Sequence, residues 1–309
     1  MPIKYKIYSR AVLLMLFVLA IVFLFQYQHR FNYLNQITAA SFLILTFFSW
    51  FAAFLNGLRV RIYAALFNIP LNFQEWFGLA QVSTLGNAVS PFRGGASLRA
   101  LYLKRHYDFP YRTFLVTVAS NAIIVFLAYS FLGMAALVMI GKGFNLLMFL
   151  IFLGVFICSL AVIIYPENRI LSITPKFLKE TMKKLLDGWL TIKKHPRNII
   201  IITLLEAVYI ANFSMSIYFG FKAFGLDILY LHALIIALLS NLSVLFNITP
   251  AGLGVREAVT VWSSSLLGAG VVIPLNVAIL VRIISIIWAL PLGFYYSYVL
   301  LAKKPHPRA

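Results

Sequence analysis

The chain has 309 residues, of which 62% are apolar and 11% charged, where a soluble domain carries about 25% charged residues. No soluble fold hides that much apolar surface, so a water-soluble enzyme or binding module is excluded. The net charge of +18 would suit nucleic acid in a soluble protein, but here the basic residues gather in a few short connections, as the positive-inside rule describes. No nucleic-acid partner is expected.

The first element is basic, then apolar: Lys4, Lys6 and Arg10 precede Ala11 to Gln26. This resembles a signal peptide, yet no small-x-small cleavage site follows in Tyr27 to Tyr33, so it reads as an uncleaved span near 11–29. Further spans of about 20 apolar residues fall near 36–57, 112–140, 144–165, 198–221 and 272–301. The alternating ten-residue segments of a transmembrane β-barrel do not occur. One side receives nineteen Lys and Arg (Lys4 to Arg10, Arg59 and Arg61, Lys104 to Arg112, Arg169 to Arg197, Lys303 to Arg308) and the other Arg30, Lys142 and Lys222. This places both termini in the cytoplasm of a multi-pass cell (inner) membrane protein. The single cysteine, Cys158, allows no internal disulfide.

Two segments resist this scheme, each interrupted by Pro and Gly. The first, about 74–106, holds the charge-free run Trp76 to Phe92 followed by Arg93, Gly94, Gly95 and Arg99. Both its flanks look cytoplasmic, so it should enter and return. The second, about 228–268, breaks at Asn247-Ile-Thr-Pro-Ala-Gly-Leu-Gly254, with Arg256 and Glu257 beyond; it reads either as a re-entrant pair or as two short spans. Set side by side, Asn87 to Ala100 and Asn247 to Ala258 form an internal repeat, offset by 160 residues at the asparagines and 157 at Arg99 and Arg256. If the two segments enter from opposite sides, the halves have inverted topology, as in secondary transporters.

The expected architecture is therefore all-α. It is one integral membrane domain over 1–309, a bundle of about six to eight spans with two Pro/Gly-broken re-entrant segments in an inverted repeat. Half one covers about 11–165 and half two about 198–301. Between them, over about 168–197, Leu178, Met182, Leu185 and Trp189 recur at helical spacing among lysines. That pattern reads as an amphipathic helix on the cytoplasmic leaflet, or as a solvated basic loop.

Charges inside a membrane cost about 2.5 to 3.5 kcal/mol each even on lenient insertion scales and need a partner or water. Exposed backbone at a helix break is tolerated there only beside protein or a water-filled cavity. The breaks at Pro91, Gly94, Gly95 and at Pro250, Gly252, Gly254, with their charges, point to a polar cavity near the midplane. Arg93, Arg99 and Arg256 are the candidate ligands of a lipid phosphate, since the planar guanidinium donates two hydrogen bonds at once. Glu206, Glu257 and Arg282 are candidates for charge balance or proton relay. Plainer roles stand beside these: Arg99 as a positive-inside residue, Arg256 with Glu257 as a surface helix cap, Glu206 paired with Arg282 to join two helices, and the glycines as close-packing residues.

Enzyme signatures are missing, so no catalytic residue, metal or cofactor is assigned. The five histidines lack metal-ligand spacing, Gly252-Leu-Gly254 does not complete a dinucleotide fingerprint, and no nucleophile elbow or phosphate loop occurs.

Thr249-Pro-Ala-Gly-Leu-Gly-Val-Arg-Glu-Ala258, and more weakly Pro91-Phe-Arg-Gly-Gly-Ala-Ser-Leu-Arg99, resemble the signatures of the lysylphosphatidylglycerol synthase transmembrane-region family, also described as flippase-like membrane proteins. Two positions depart from the pattern. Ala251 replaces the usual first glycine of the late motif, and Ala96 stands where an acid is expected, so a role for that carboxylate does not carry over. Members fused to a soluble aminoacyl-transferase domain make aminoacylated lipids. No such domain lies within residues 1–309, so that activity is not expected to transfer. The resemblance implies a flippase-like transporter moving an anionic phospholipid or polyprenyl-linked intermediate between leaflets. An integral membrane transferase acting on a lipid carrier, and a non-catalytic envelope scaffold, are the alternatives.

Overall fold

A computed structural model describes residues 37–90, 94–141, 144–164, 193, 196–243 and 252–303. These form α1 (Ala39–Leu66), α2 (Phe73–Val89), α3 (Gly94–Tyr107), α4 (Tyr111–Ile140), α5 (Leu146–Ile164), α6 (Pro196–Ala223), α7 (Tyr230–Leu242), α8 (Val255–Leu266) and α9 (Val272–Ala302). The span read at 11–29, nearly all of the basic linker, and Pro91, Arg93 and Pro250 lie outside the described residues.

Helices α1, α4, α5, α6 and α9 are long and apolar enough to cross a membrane. Their outward faces are greasy: on α5, Leu146, Leu147, Leu150, Ile157 and Ile164 are all exposed, as expected where the solvent is hydrocarbon. The other four helices have 17, 14, 13 and 12 residues, about 18 to 25 Å at 1.5 Å per residue. Each is shorter than the roughly 30 Å hydrocarbon core.

Helix α2 begins with a capping box. The Asn72 side chain accepts from the Glu75 N–H at 3.0 Å, and the Glu75 carboxylate accepts from the Asn72 N–H at 3.0 Å. Glu75 also receives the hydroxyls of Tyr102 (2.9 Å) and Tyr107 (2.7 Å) from the last turns of α3. The start of α2 and the end of α3 therefore meet, and the two helices form a hairpin. Lys303, just past α9, reaches the same carboxylate at 2.8 Å.

The helix starts of α1–α4 and of α6–α9 follow one another at similar spacing. Ala39 and Pro196, like Phe73 and Tyr230, start helices 157 residues apart, whereas Gly94 and Val255, and Tyr111 and Val272, are 161 apart. The extra four residues fall between α7 and α8. Helices α1 and α6 pack antiparallel: Arg59 meets Glu206 near one end, while Phe48 stacks on Phe219 near the other and accepts a 2.9 Å hydrogen bond at its carbonyl from Asn212. Helix α2 packs against α9, and α7 against α4.

Small residues set how closely these helices approach. A Cβ on Gly78 would lie 2.6 Å from the Tyr296 ring, and one on Gly293 2.6 Å from Leu85, so α2 and α9 lock at both points. Two apolar cores result. One lies among α4, α5, α6, α7 and α9 around Leu137, Phe152, Phe221, Ile235 and Val277. The other lies among α1, α2, α3 and the end of α9 around Val60, Trp76, Leu79, Leu103 and Tyr296.

Candidate functional site

Where the two cores adjoin, the helices leave a cavity of about 510 Å³, within the range of small-molecule sites. Among the described residues, six charged side chains line it: Arg59, Arg99, Glu206, Arg256, Glu257 and Arg282. Four arginines face two glutamates, an excess of two positive charges.

Arg59 of α1 and Glu206 of α6 form a forked pair, with Nε to Oε1 at 2.5 Å and Nη2 to Oε2 at 2.9 Å. Tyr129 of α4 donates to Glu206 Oε2 at 3.0 Å, and Arg59 Nη1 donates to Asn56 Oδ1 at 3.1 Å over the ring of Tyr209. Glu206, only 1% exposed, thus has both oxygens occupied, as a buried carboxylate requires. Glu257 does two jobs on α8. Its Oε2 accepts the Gly254 N–H at 2.8 Å, the reach-back half of a helix cap, and its Oε1 lies 2.8 Å from Arg282 Nε of α9. The pairing of Glu206 with Arg282 expected from the sequence is therefore corrected. Each has another partner, because α1 brings Arg59 onto α6 and the turn before α8 brings Glu257 onto α9.

Arg99 and Arg256 differ from these. Neither has a carboxylate partner among the described residues. Arg99 lies over the Phe114 ring at 5.1 Å, and Arg256 over Phe213 at 5.9 Å with one hydrogen bond to Asn241 Oδ1 at 3.3 Å. Cation–π contacts of this kind hold a guanidinium face and leave its edge available. The Nε of both is buried without a hydrogen-bond partner, as are Tyr63 Oη, Ser83 Oγ and Asn121 Oδ1 around the same cavity.

The two helix breaks use glycine differently. After the first, a Cβ on Gly95 would sit 1.9 Å from the Ser83 carbonyl oxygen, and one on Gly86 2.7 Å from Gly95 Cα. Only glycine lets α2 and α3 cross so closely, and the Asn87 side chain accepts the Gly95 N–H at 3.0 Å. Gly94 packs on Ser90. After the second break, Gly252 (φ +66°) and Gly254 (φ +83°) adopt left-handed backbone, which L side chains disfavour.

The structure thus brings Arg99, Arg256, Glu206, Glu257 and Arg282 to one cavity. Reading the charge runs alone misses Arg59, Tyr63, Ser83, Asn121 and Tyr129. Arg59 is treated there as a flank because the charge-free window ends at Leu58, and the span end at 57 is corrected to Leu66. Nothing in residues 59–66 stops a helix; the stop comes at Asn68 (φ +55°) before Pro70, and that was the available signal.

No curated protein and no solved structure gives a significant match to this chain. The family model described as the lysylphosphatidylglycerol synthase TM region matches residues 9–293. That stretch includes all of α1–α8, most of α9 and every residue of the cavity, and the chain is therefore a multi-pass membrane protein belonging to that family.

Proposed function

We propose that this protein is a flippase-like transporter that passes the headgroup of an anionic lipid, a phospholipid or a polyprenyl-linked intermediate, through its polar cavity. The observation that carries this reading is the excess of two arginines, Arg99 and Arg256, in a cavity among helices long and apolar enough to cross a membrane. Two uncompensated charges cost about 5 to 7 kcal/mol on the insertion scales, and an anionic headgroup offsets that cost. The Arg59–Glu206 and Arg282–Glu257 pairs hold the remaining charges neutral and keep the walls in place.

In this reading the α2–α3 and α7–α8 pairs are re-entrant segments in an inverted repeat, entering from opposite sides, with both termini in the cytoplasm. The shortness of these four helices, the meeting of both feet of the α2–α3 hairpin at Glu75, and the antiparallel packing of α1 on α6 support it. Arg99 is the sixth residue of α3 and Arg256 the second of α8, so each follows a helix N-terminus whose dipole also favours an anion.

The test is reconstitution into liposomes with a headgroup-labelled anionic lipid and quenching from outside with an impermeant reductant. Vesicles with protein should lose nearly all fluorescence, while empty ones keep the inner-leaflet half. Equal protection in both, across several anionic lipids and with or without a proton gradient, rejects the reading. Labelling of single cysteines at Ser90 and Gly254 on a Cys158→Ser background should proceed from opposite sides if the two segments are inverted.

A further inference from the structure

The unpaired groups of the cavity also say what kind of anion fits, a step that rests on the transporter reading for the lipid source but on the residues for the chemistry. Among the described residues that line the cavity and belong to no ion pair, four orphaned groups are donors or can be: the Nε of Arg99, the Nε of Arg256, Tyr63 Oη and Ser83 Oγ. Tyr63 and Ser83 are 9% and 8% exposed, so bulk solvent does not serve them. Among the described residues of this wall, Asn121 Oδ1 is an orphaned pure acceptor, while Glu206 Oε1 is held by the ion pair with Arg59. A buried polar group without a partner costs free energy, so the ligand that completes this wall is rich in acceptors and poor in donors.

Charge narrows it further. Arg59 and Arg282 are each matched by one glutamate, whereas Arg99 and Arg256 are matched by none among the described residues. A singly charged phosphodiester, the linkage of most glycerophospholipids, would leave one of these arginines uncompensated in a low-dielectric site. A terminal phosphate carries three acceptor oxygens and nearly two negative charges above a second pKa of about 6. We infer that the cavity selects a terminal phosphomonoester or diphosphate group, bound between Arg99 and Arg256 with Tyr63 and Ser83 donating, over a phosphodiester headgroup. The two arginines come from α3 and α8, one after each helix break, so one dianion bridges the two halves of the chain.

The test uses full-length protein in neutral detergent. Binding is titrated at pH 8 with three probes: a diacyl phosphatidic acid, a phosphatidylglycerol of the same chains, and inorganic phosphate. The phosphomonoester lipid should bind at least about tenfold more tightly than the phosphodiester, and the preference should shrink to within about twofold at pH 5, where the phosphomonoester has become a monoanion. That comparison needs no variant. Arg99→Gln and Arg256→Gln should each weaken phosphatidic acid more than phosphatidylglycerol and so abolish the preference. Equal affinity for both lipids at pH 8, or a preference unchanged at pH 5, overturns the inference and leaves the transporter reading standing. Inorganic phosphate binding as tightly as phosphatidic acid, with neither lipid moved across vesicles, supports the dianion chemistry with a soluble source and overturns the transporter reading.

Discussion

Arg59 and Glu206, 147 residues apart in the chain, close a two-point ion pair between α1 and α6. Removing one partner of such a pair strands a buried charge, which costs about 3 to 5 kcal/mol. Glu206→Gln and Arg59→Gln should each lower the unfolding midpoint in detergent substantially. The double variant Arg59→Gln/Glu206→Gln should be more stable than either single one. A double loss equal to the sum of the singles would show that the two side chains act independently.

The two breaks should respond differently to the same substitution. Gly95→Ala pushes a methyl group into the backbone of α2 at Ser83, and overpacking against atoms that cannot turn aside costs upwards of about 3 kcal/mol. Gly254 has open space around its Cβ position, so Gly254→Ala meets only the left-handed backbone penalty of about 1 to 2 kcal/mol. Gly254→Asn should cost about as much as Gly254→Ala, since φ +83° with ψ −43° lies outside the αL region that asparagine tolerates. Thermal unfolding of the three variants orders them; equal losses for Gly95→Ala and Gly254→Ala would contradict the packing described.

Lipid movement should depend on Arg99 and Arg256 beyond their contribution to folding. Arg99→Gln and Arg256→Gln should slow the fluorescence-quenching rate in liposomes at least about tenfold while elution profile and unfolding midpoint stay near wild type. Arg105→Gln, at an exposed position on α3, should leave the rate within about twofold. Lysine at 99 or 256 keeps the charge but loses the fork, so an intermediate rate is expected.

Glu75 lies outside the five apolar spans, and its burial pushes the carboxyl pKa up. The hydrogen bonds from Lys303, Tyr107, the Asn72 N–H and Tyr102 outweigh that effect and hold it below the ordinary carboxylate value. A carboxyl lowered in the folded state stabilises above its unfolded pKa of about 4.3, and that stability disappears as pH falls through the lower folded value. Unfolding midpoints of wild type and Glu75→Gln should therefore differ by a constant amount from pH 6 to 8 and converge below about pH 4. A gap that persists at pH 3 would mean that Glu75 acts through packing alone.

The bundle itself was legible in the sequence because hydropathy is a long-range, additive signal. The spans read near 112–140, 144–165, 198–221 and 272–301 match α4, α5, α6 and α9 to within two residues. The two breaks were legible too, since Pro and Gly announce them. What the sequence hid was pairing. Glu206 could be seen as an isolated acid in an apolar helix, but whether Arg59 or Arg282 neutralises it depends on which helix lies alongside, and no local pattern encodes that. Arg99 and Arg256 align at an offset of 157 residues, yet their helices start 161 apart, so Arg99 is the sixth residue of its helix and Arg256 the second of its own, a distinction that only helix boundaries reveal. Orphaned donors such as Tyr63 and Ser83 are invisible until the cavity exists.

The Arg59–Glu206 pair also sets a timetable for biosynthesis. Ribosomes add about 5 to 20 residues per second, so α1 is complete roughly 7 to 30 seconds before Glu206 is made. During that interval Arg59 has no access to the carboxylate that neutralises it, and the N-terminal half cannot settle into its final packing. The contact that joins α1 to α6 is therefore a late step of assembly, made only after residue 206 has emerged.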